Sequence, residues 1–220
     1  MTASSAGKQK IEKLVVSHVP RDALMACEDA YYDGDEKGWI RAAVFSPGHR
    51  PSAAGQVKHF HTNESFHEAL KAHGGEPSPL CGTRLVVGRF GIFNVVRLNV
   101  AGHKWVNLSR STTRKKLAQL NQTIEQKYVQ SDFFVSEREV NGGTIFILGV
   151  VDGVDSNGIA QLTQVMVALP APNMESWLYM STMADVLKLY DQVDTQGQID
   201  NAQPKLKKQP KKQADDDKGN

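Results

Sequence analysis

The chain has 220 residues, 40% hydrophobic and 23% charged, with a formal net charge of +2, the balance of a globular protein with material for a substantial core. No stretch approaches the roughly 18 consecutive apolar residues that a membrane span needs, and the opening MTASSAGKQK lacks the apolar run of a secretory signal, so cytoplasmic residence is the expectation. Cys27 and Cys81 sit on unrelated segments without CxxC or Cys/His spacing, which points away from a disulfide framework or zinc finger and toward small buried apolar residues.

In chain order, residues 1–10 are small and polar and are expected to be disordered. The β-branched centre of Ile11–Val19 reads as a short strand. Pro20 suits the first turn of a helix, and Leu24, Cys27 and Tyr31 recur at helical spacing, predicting a helix that ends at the Asp33-Gly34 turn. Trp39–Phe45 reads as a strand, Ser46–Gly55 as a loop rich in Pro, Gly and Ser, and Val57–His61 as another short strand. Thr62 or Asn63 can cap a helix that carries Phe66 and Leu70 and ends at Gly74-Gly75.

Three strands are then expected, at Thr83–Arg89, Gly91–Val100 and Lys104–Ser109. They lead into a helix capped by Ser111 or Thr112, whose Leu117, Leu120, Ile124 and Tyr128 form one apolar stripe. Phe133–Val140 and Thr144–Val151 flank Asn141-Gly142-Gly143, a hairpin signal. Ile159–Leu169 is a further strand, and a long apolar helix follows from Pro170 to about Val193, with a break near Ser181-Thr182. The lysine-rich end has nothing to bury and is expected to be a disordered tail. The fold expected is therefore α+β: antiparallel sheet with helices packed on one face and two successive βββα segments. It forms a single globular domain over 11–193, with a sub-boundary admissible near residue 77, between disordered termini at 1–10 and 194–220.

Charge is segregated along this chain. Between Glu76 and Glu125 there is no carboxylate, while Arg84, Arg89, Arg97, Lys104, Arg110, Arg114, Lys115 and Lys116 are all basic; residues 125–203 hold eleven carboxylates against three basic side chains. Arg114, Lys115 and Lys116 fall on the first turn of the expected helix, where the macrodipole disfavours cations by a few tenths of a kcal/mol each. Helix N–H groups beside cationic side chains make a place suited to phosphate. With Trp105 as a stacking residue, the eight cations form a candidate nucleic-acid surface.

Two resemblances add to this reading. The order helix, three strands, helix over 63–129, with Lys115-Lys116-Leu117-Ala118 at the second helix, is similar to a double-stranded-RNA-binding domain over about a third of the chain, although that family's Gly-x-Gly turn before the lysines is missing. Arg89-Phe90-Gly91-Ile92-Phe93 resembles the aromatic strand of an RNA-recognition motif. Both resemblances imply RNA as the partner.

The function expected is thus non-enzymatic nucleic-acid binding, RNA favoured, with no cofactor. Two alternatives stand beside it. The basic middle and acidic second half could meet between copies in a homo-oligomer, and His59, His61 and His67, with Glu64 and Glu68 nearby, could serve a metal-dependent hydrolase. GxSxG, Walker and GxGxxG motifs are absent from the sequence.

Overall fold

The computed structural model describes residues 4–102, 105–129, 139–154 and 160–194. Three helices come first, α1 (Ser5–His18), α2 (Arg21–Ala42) and α3 (Arg50–Ala72), followed by the hairpin β1 (Val87–Phe90) and β2 (Phe93–Ala101). A 3-10 turn (Trp105–Arg110) leads to α4 (Thr112–Gln119) and α5 (Gln122–Tyr128), and the chain continues through β3 (Gly143–Val154), β4 (Ala160–Pro170), β5 (Trp177–Thr182) and α6 (Met183–Asp194). No helix among the described residues is long and apolar enough to cross a membrane.

The α+β class is as expected; the order within it is not. Of the segment read as disordered and then as a strand, Ser5–His18 is α1. Ser4 caps it by accepting from the Gly7 N–H at 3.2 Å, and Ile11 and Val15, four apart, are buried on one face. The Asp33-Gly34 turn and the first part of the strand expected over 39–45 are instead the continuation of α2, which ends at Ala42. The loop and strand over 46–61 give way to the start of α3, where Pro51 falls in the first turn and so removes no intrahelical hydrogen bond.

What carries α2 through Gly34 and Gly38 is its partner. A Cβ at Gly34 would lie 2.1 Å from Thr62 Oγ1 and 2.9 Å from the Thr62 Cα, and one at Gly38 would lie 2.1 Å from Lys58 Cγ. The two helices meet backbone to backbone there, and this contact offsets the helix propensity of about 1 kcal/mol that each glycine forfeits.

The five strands form one mixed sheet in the order β1-β2-β3-β4-β5. β2 and β3 run parallel, with Phe93 opposite Gly143 and Ala101 opposite Val151, and the other neighbours are antiparallel. A parallel pair needs a long crossover, and the segment containing α4 and α5 supplies it. The expected strand over 104–109 is the 3-10 turn, and the single helix expected after it is interrupted between α4 and α5, leaving Leu120 exposed. The first half of the expected helix from Pro170 is the end of β4, a turn and then β5, paired with β4; the strand-to-helix change at Thr182–Met183 falls where the break was placed. The first arm of the Asn141-Gly142 hairpin falls largely on residues 130–138, outside those described, and so does the tail from 195.

Helices cover both faces, not one. Phe93, Val95, Ile145, Ile147, Val165 and Val167 pack with α1, α2, α3, α5 and α6. Val96, Leu98, Val100, Phe146 and Leu148 pack with Leu108 of the 3-10 turn and Leu117 of α4. β3 is buried at every position from Gly143 to Val150, as a strand covered on two sides must be. Gly149 makes room for the Tyr31 ring, which a Cβ would meet at 2.4 Å. The Tyr31 hydroxyl accepts from the Leu98 N–H at 2.9 Å and lies 2.6 Å from the Ile147 carbonyl, pinning α2 to the β2–β3 junction.

Candidate anion-binding cleft

β1 pairs only with Phe93–Val96, so the outer edge of β2 beyond Val96 meets no other strand among the described residues. At this edge a cleft of about 550 Å³ opens between α3 on one face of the sheet, α4 on the other, and the segment leading into β1. His59, Thr83, Arg84, Arg97, Asn99, Ser111, Thr113 and Arg114 line it together with Leu85, Val87 and Leu98. Three arginines line it and no carboxylate does.

Arg97 alternates with Val95 onto the helix-covered face and is 1% exposed. It donates from Nε to Asn63 Oδ1 at 2.7 Å, and from Nη2 to the His59 carbonyl at 2.7 Å and to His59 Nδ1 at 3.0 Å. All these partners are neutral, so Arg97 is held in place while its charge stays uncompensated. Burial pulls its pKa below the ordinary arginine value, opposed by the nearby Tyr31 hydroxyl, and the guanidinium remains protonated. Because it can only donate, His59 must accept at Nδ1 and keep its proton on Nε2. Burial and then the Arg97 charge push the His59 pKa down and favour the neutral ring, against a backbone hydrogen bond to Thr83 that favours the protonated one.

On the opposite wall, Ser111 caps α4 by accepting from the Arg114 N–H at 3.4 Å. The far end of α4 is fixed by Thr144, whose Oγ1 donates to the Leu117 carbonyl at 2.7 Å. Arg114 is half-buried; burial lowers its pKa, and its Nε is enclosed without a hydrogen-bond partner among the described residues. Arg84, Arg97 and Arg114 take part in none of the ion pairs among the described residues. The helix start adds its partial positive charge to the same space.

Of the nine residues expected at a nucleic-acid surface, Arg84, Arg97 and Arg114 come together here. Arg110, Lys115 and Lys116 are exposed on the adjoining 3-10 turn and first turns of α4. Arg89 is exposed near the β1–β2 hairpin and does not line the cleft; its Nε donates to the Gly91 carbonyl at 3.3 Å. Lys104 lies outside the described residues, and Trp105 is described only as the backbone start of the 3-10 turn. His59, Asn63, Asn99, Ser111 and Thr113 complete the site without having been assigned to it. One local signal for its depth was present: Arg97 stands in the run Val95-Val96-Arg97-Leu98, where a lone cation among core residues has to be enclosed.

The other motifs come apart. The 3-10 turn replaces the third strand that the double-stranded-RNA-binding order requires. Phe90 and Phe93 are 4% and 0% exposed and face the helical layer, so this strand does not present its aromatic rings to a base. His59 and His61, expected on one strand face, lie two apart on a helix and therefore diverge. His61 Nδ1 instead meets Glu64 at 3.1 Å, and no group of three or more His, Cys, Asp or Glu among the described residues is placed to hold a metal ion. Cys27 is buried, whereas Cys81 is exposed.

Comparison with known proteins adds no family: no family model, no curated protein and no solved structure matches the chain.

Proposed function

We propose that this protein binds nucleic acid through its phosphates, using the cleft at the β2 edge and the cations around it. The observation that carries the reading is the convergence of Arg84, Arg97 and Arg114 on one cleft whose lining contains no carboxylate. Arg97 contributes a fixed, buried charge, Arg84 an exposed cation and Arg114 a half-buried one, and exposed Arg110, Lys115 and Lys116 extend the positive field beyond the rim. The recognition is electrostatic, so it is sequence-tolerant and weakens with salt as condensed counterions are no longer released. The partner is RNA or DNA, because the features that favoured RNA were the third strand and the exposed aromatic strand.

The test is fluorescence anisotropy with labelled single-stranded RNA and DNA at low and high salt. Binding at low salt that is lost at high salt is expected. The double variant Lys115→Glu, Lys116→Glu, both exposed, is expected to keep the fold and lose at least tenfold in affinity; unchanged affinity removes the proposal.

Self-association remains a second reading. Ile40, Val44 and Phe45 are 63%, 85% and 46% exposed near the turn between α2 and α3, an apolar group that a partner could cover. Light scattering after sizing chromatography separates the two: an oligomer that ignores nucleic acid favours association between copies.

A further inference from the structure

We infer that the cleft is built for a phosphate monoester, either the terminal phosphate of a strand or that of a free nucleotide, and that internal phosphodiesters bind only at its rim. The strand-end form rests on the nucleic-acid reading above; the free-nucleotide form does not. Three features lead to it.

Charge comes first. An internal diester carries one negative charge, whereas a monoester carries between −1.5 and −2 at neutral pH. Arg84, Arg97 and Arg114 supply three positive charges with no carboxylate among the lining residues, more than one diester would neutralise.

Depth is the second feature. Arg97, which lines the cleft, is 1% exposed, and its guanidinium is held by Asn63 and His59 of α3. A chain end or a single nucleotide can enter phosphate first, whereas an internal diester must bring the chain on both of its sides with it. The volume of about 550 Å³ lies within the range of small-molecule sites.

The third feature is an unused donor. Arg114 Nε is enclosed without a partner among the described residues, although buried N–H groups are almost always paired. Ser111 and Thr113, which also line the cleft, place hydroxyls on the same wall. A tetrahedral group with three terminal oxygens can accept from the guanidinium and the hydroxyls at once.

The experiment uses the full chain and four probes: one 12-nucleotide single strand carrying a 5′-phosphate, a 3′-phosphate or hydroxyls at both ends, and adenosine monophosphate. The expected result is at least tenfold tighter binding of a phosphorylated end over the hydroxyl-ended strand, with adenosine monophosphate as a competitor for that increment. Arg114→Ala and Arg84→Ala are each expected to abolish the preference, read as the ratio of affinities for the phosphorylated and hydroxyl-ended strands, whatever they do to strand binding itself; circular dichroism confirms that each variant is folded. Equal affinity for all strands, unaffected by Arg114→Ala, overturns the inference and leaves nucleic-acid binding standing. Arginine-dependent binding of adenosine monophosphate with no binding of any strand keeps the monoester site and removes the nucleic-acid reading. If neither strand nor nucleotide binds, both fall.

Discussion

A guanidinium enclosed in an apolar strand is tolerable only if its donors are occupied, and Arg97 meets that condition through Asn63, His59 and, more weakly, Asn99 at 3.4 Å. This makes His59 a pH-sensitive part of the cleft. Its folded pKa is depressed below the ordinary 6.5, so below pH 6.5 the folded state binds fewer protons than the unfolded one. The stability associated with neutral His59 is complete above about pH 7 and is lost as pH falls through 6.5 toward the depressed value. Chemical denaturation at a series of pH values is expected to show this decline, and His59→Gln to flatten it. Asp33, held low by Lys37 and Ser65, adds a separate loss that begins only near its ordinary value of 3.8. A wild-type decline between pH 7 and 5 that persists unchanged in His59→Gln would assign the effect to other groups.

Among the elements, the α2–α3 hairpin is where local sequence and final structure diverge most. The stretch Asp33-Gly34-Asp35-Glu36-Lys37-Gly38 has the composition of a turn, yet Asp33 pairs with Lys37 at 2.8 Å along the helix and Asp35 pairs with Lys58 across it. The glycines then mark close approach. Gly34→Ala places a methyl against Thr62 Oγ1 and against the Thr62 backbone, which no rotamer change relieves, and is expected to destabilise by about 1–3 kcal/mol. Gly55, also helical, has nothing within 4 Å of a built Cβ, and Gly55→Ala is expected to stabilise by about 0.5–1 kcal/mol. Thermal unfolding of the two variants should move in opposite directions. A shift of the same sign in both would mean that the glycines matter through helix propensity alone.

For the whole molecule, charge and topology act together. The carboxylate-free stretch from Pro77 to Ile124 includes the outer hairpin, the 3-10 turn, α4 and the start of α5, so its described cations lie on the β1–β2 hairpin, the segments beside it and α4. Their combined contribution is open to measurement through salt dependence. In the nucleic-acid reading, each single-strand phosphate contact contributes about 0.7 to the slope of log affinity against log salt. Lys115→Ala is therefore expected to lower that slope by about 0.7, and an unchanged slope would place Lys115 outside the contact surface.

The sequence by itself determined the α+β class, the strands β2, β3 and β4, the Ser111 cap and the basic stretch around it, because continuous β-branched runs, capping residues and charge are local properties. Only the tertiary structure decided that α2 runs through two glycines, that β2 and β3 are parallel, and that helices cover both faces, since each of these depends on a partner far along the chain. The same holds for the cleft. Arg84 and Arg114 were legible as cations, but their meeting with Arg97, His59 and Asn63 depends on β1 stopping opposite Val96 and on α3 and α4 lying on opposite faces of the exposed edge. Long-range pairing selected the few positive charges that share a cavity from the many that share a segment.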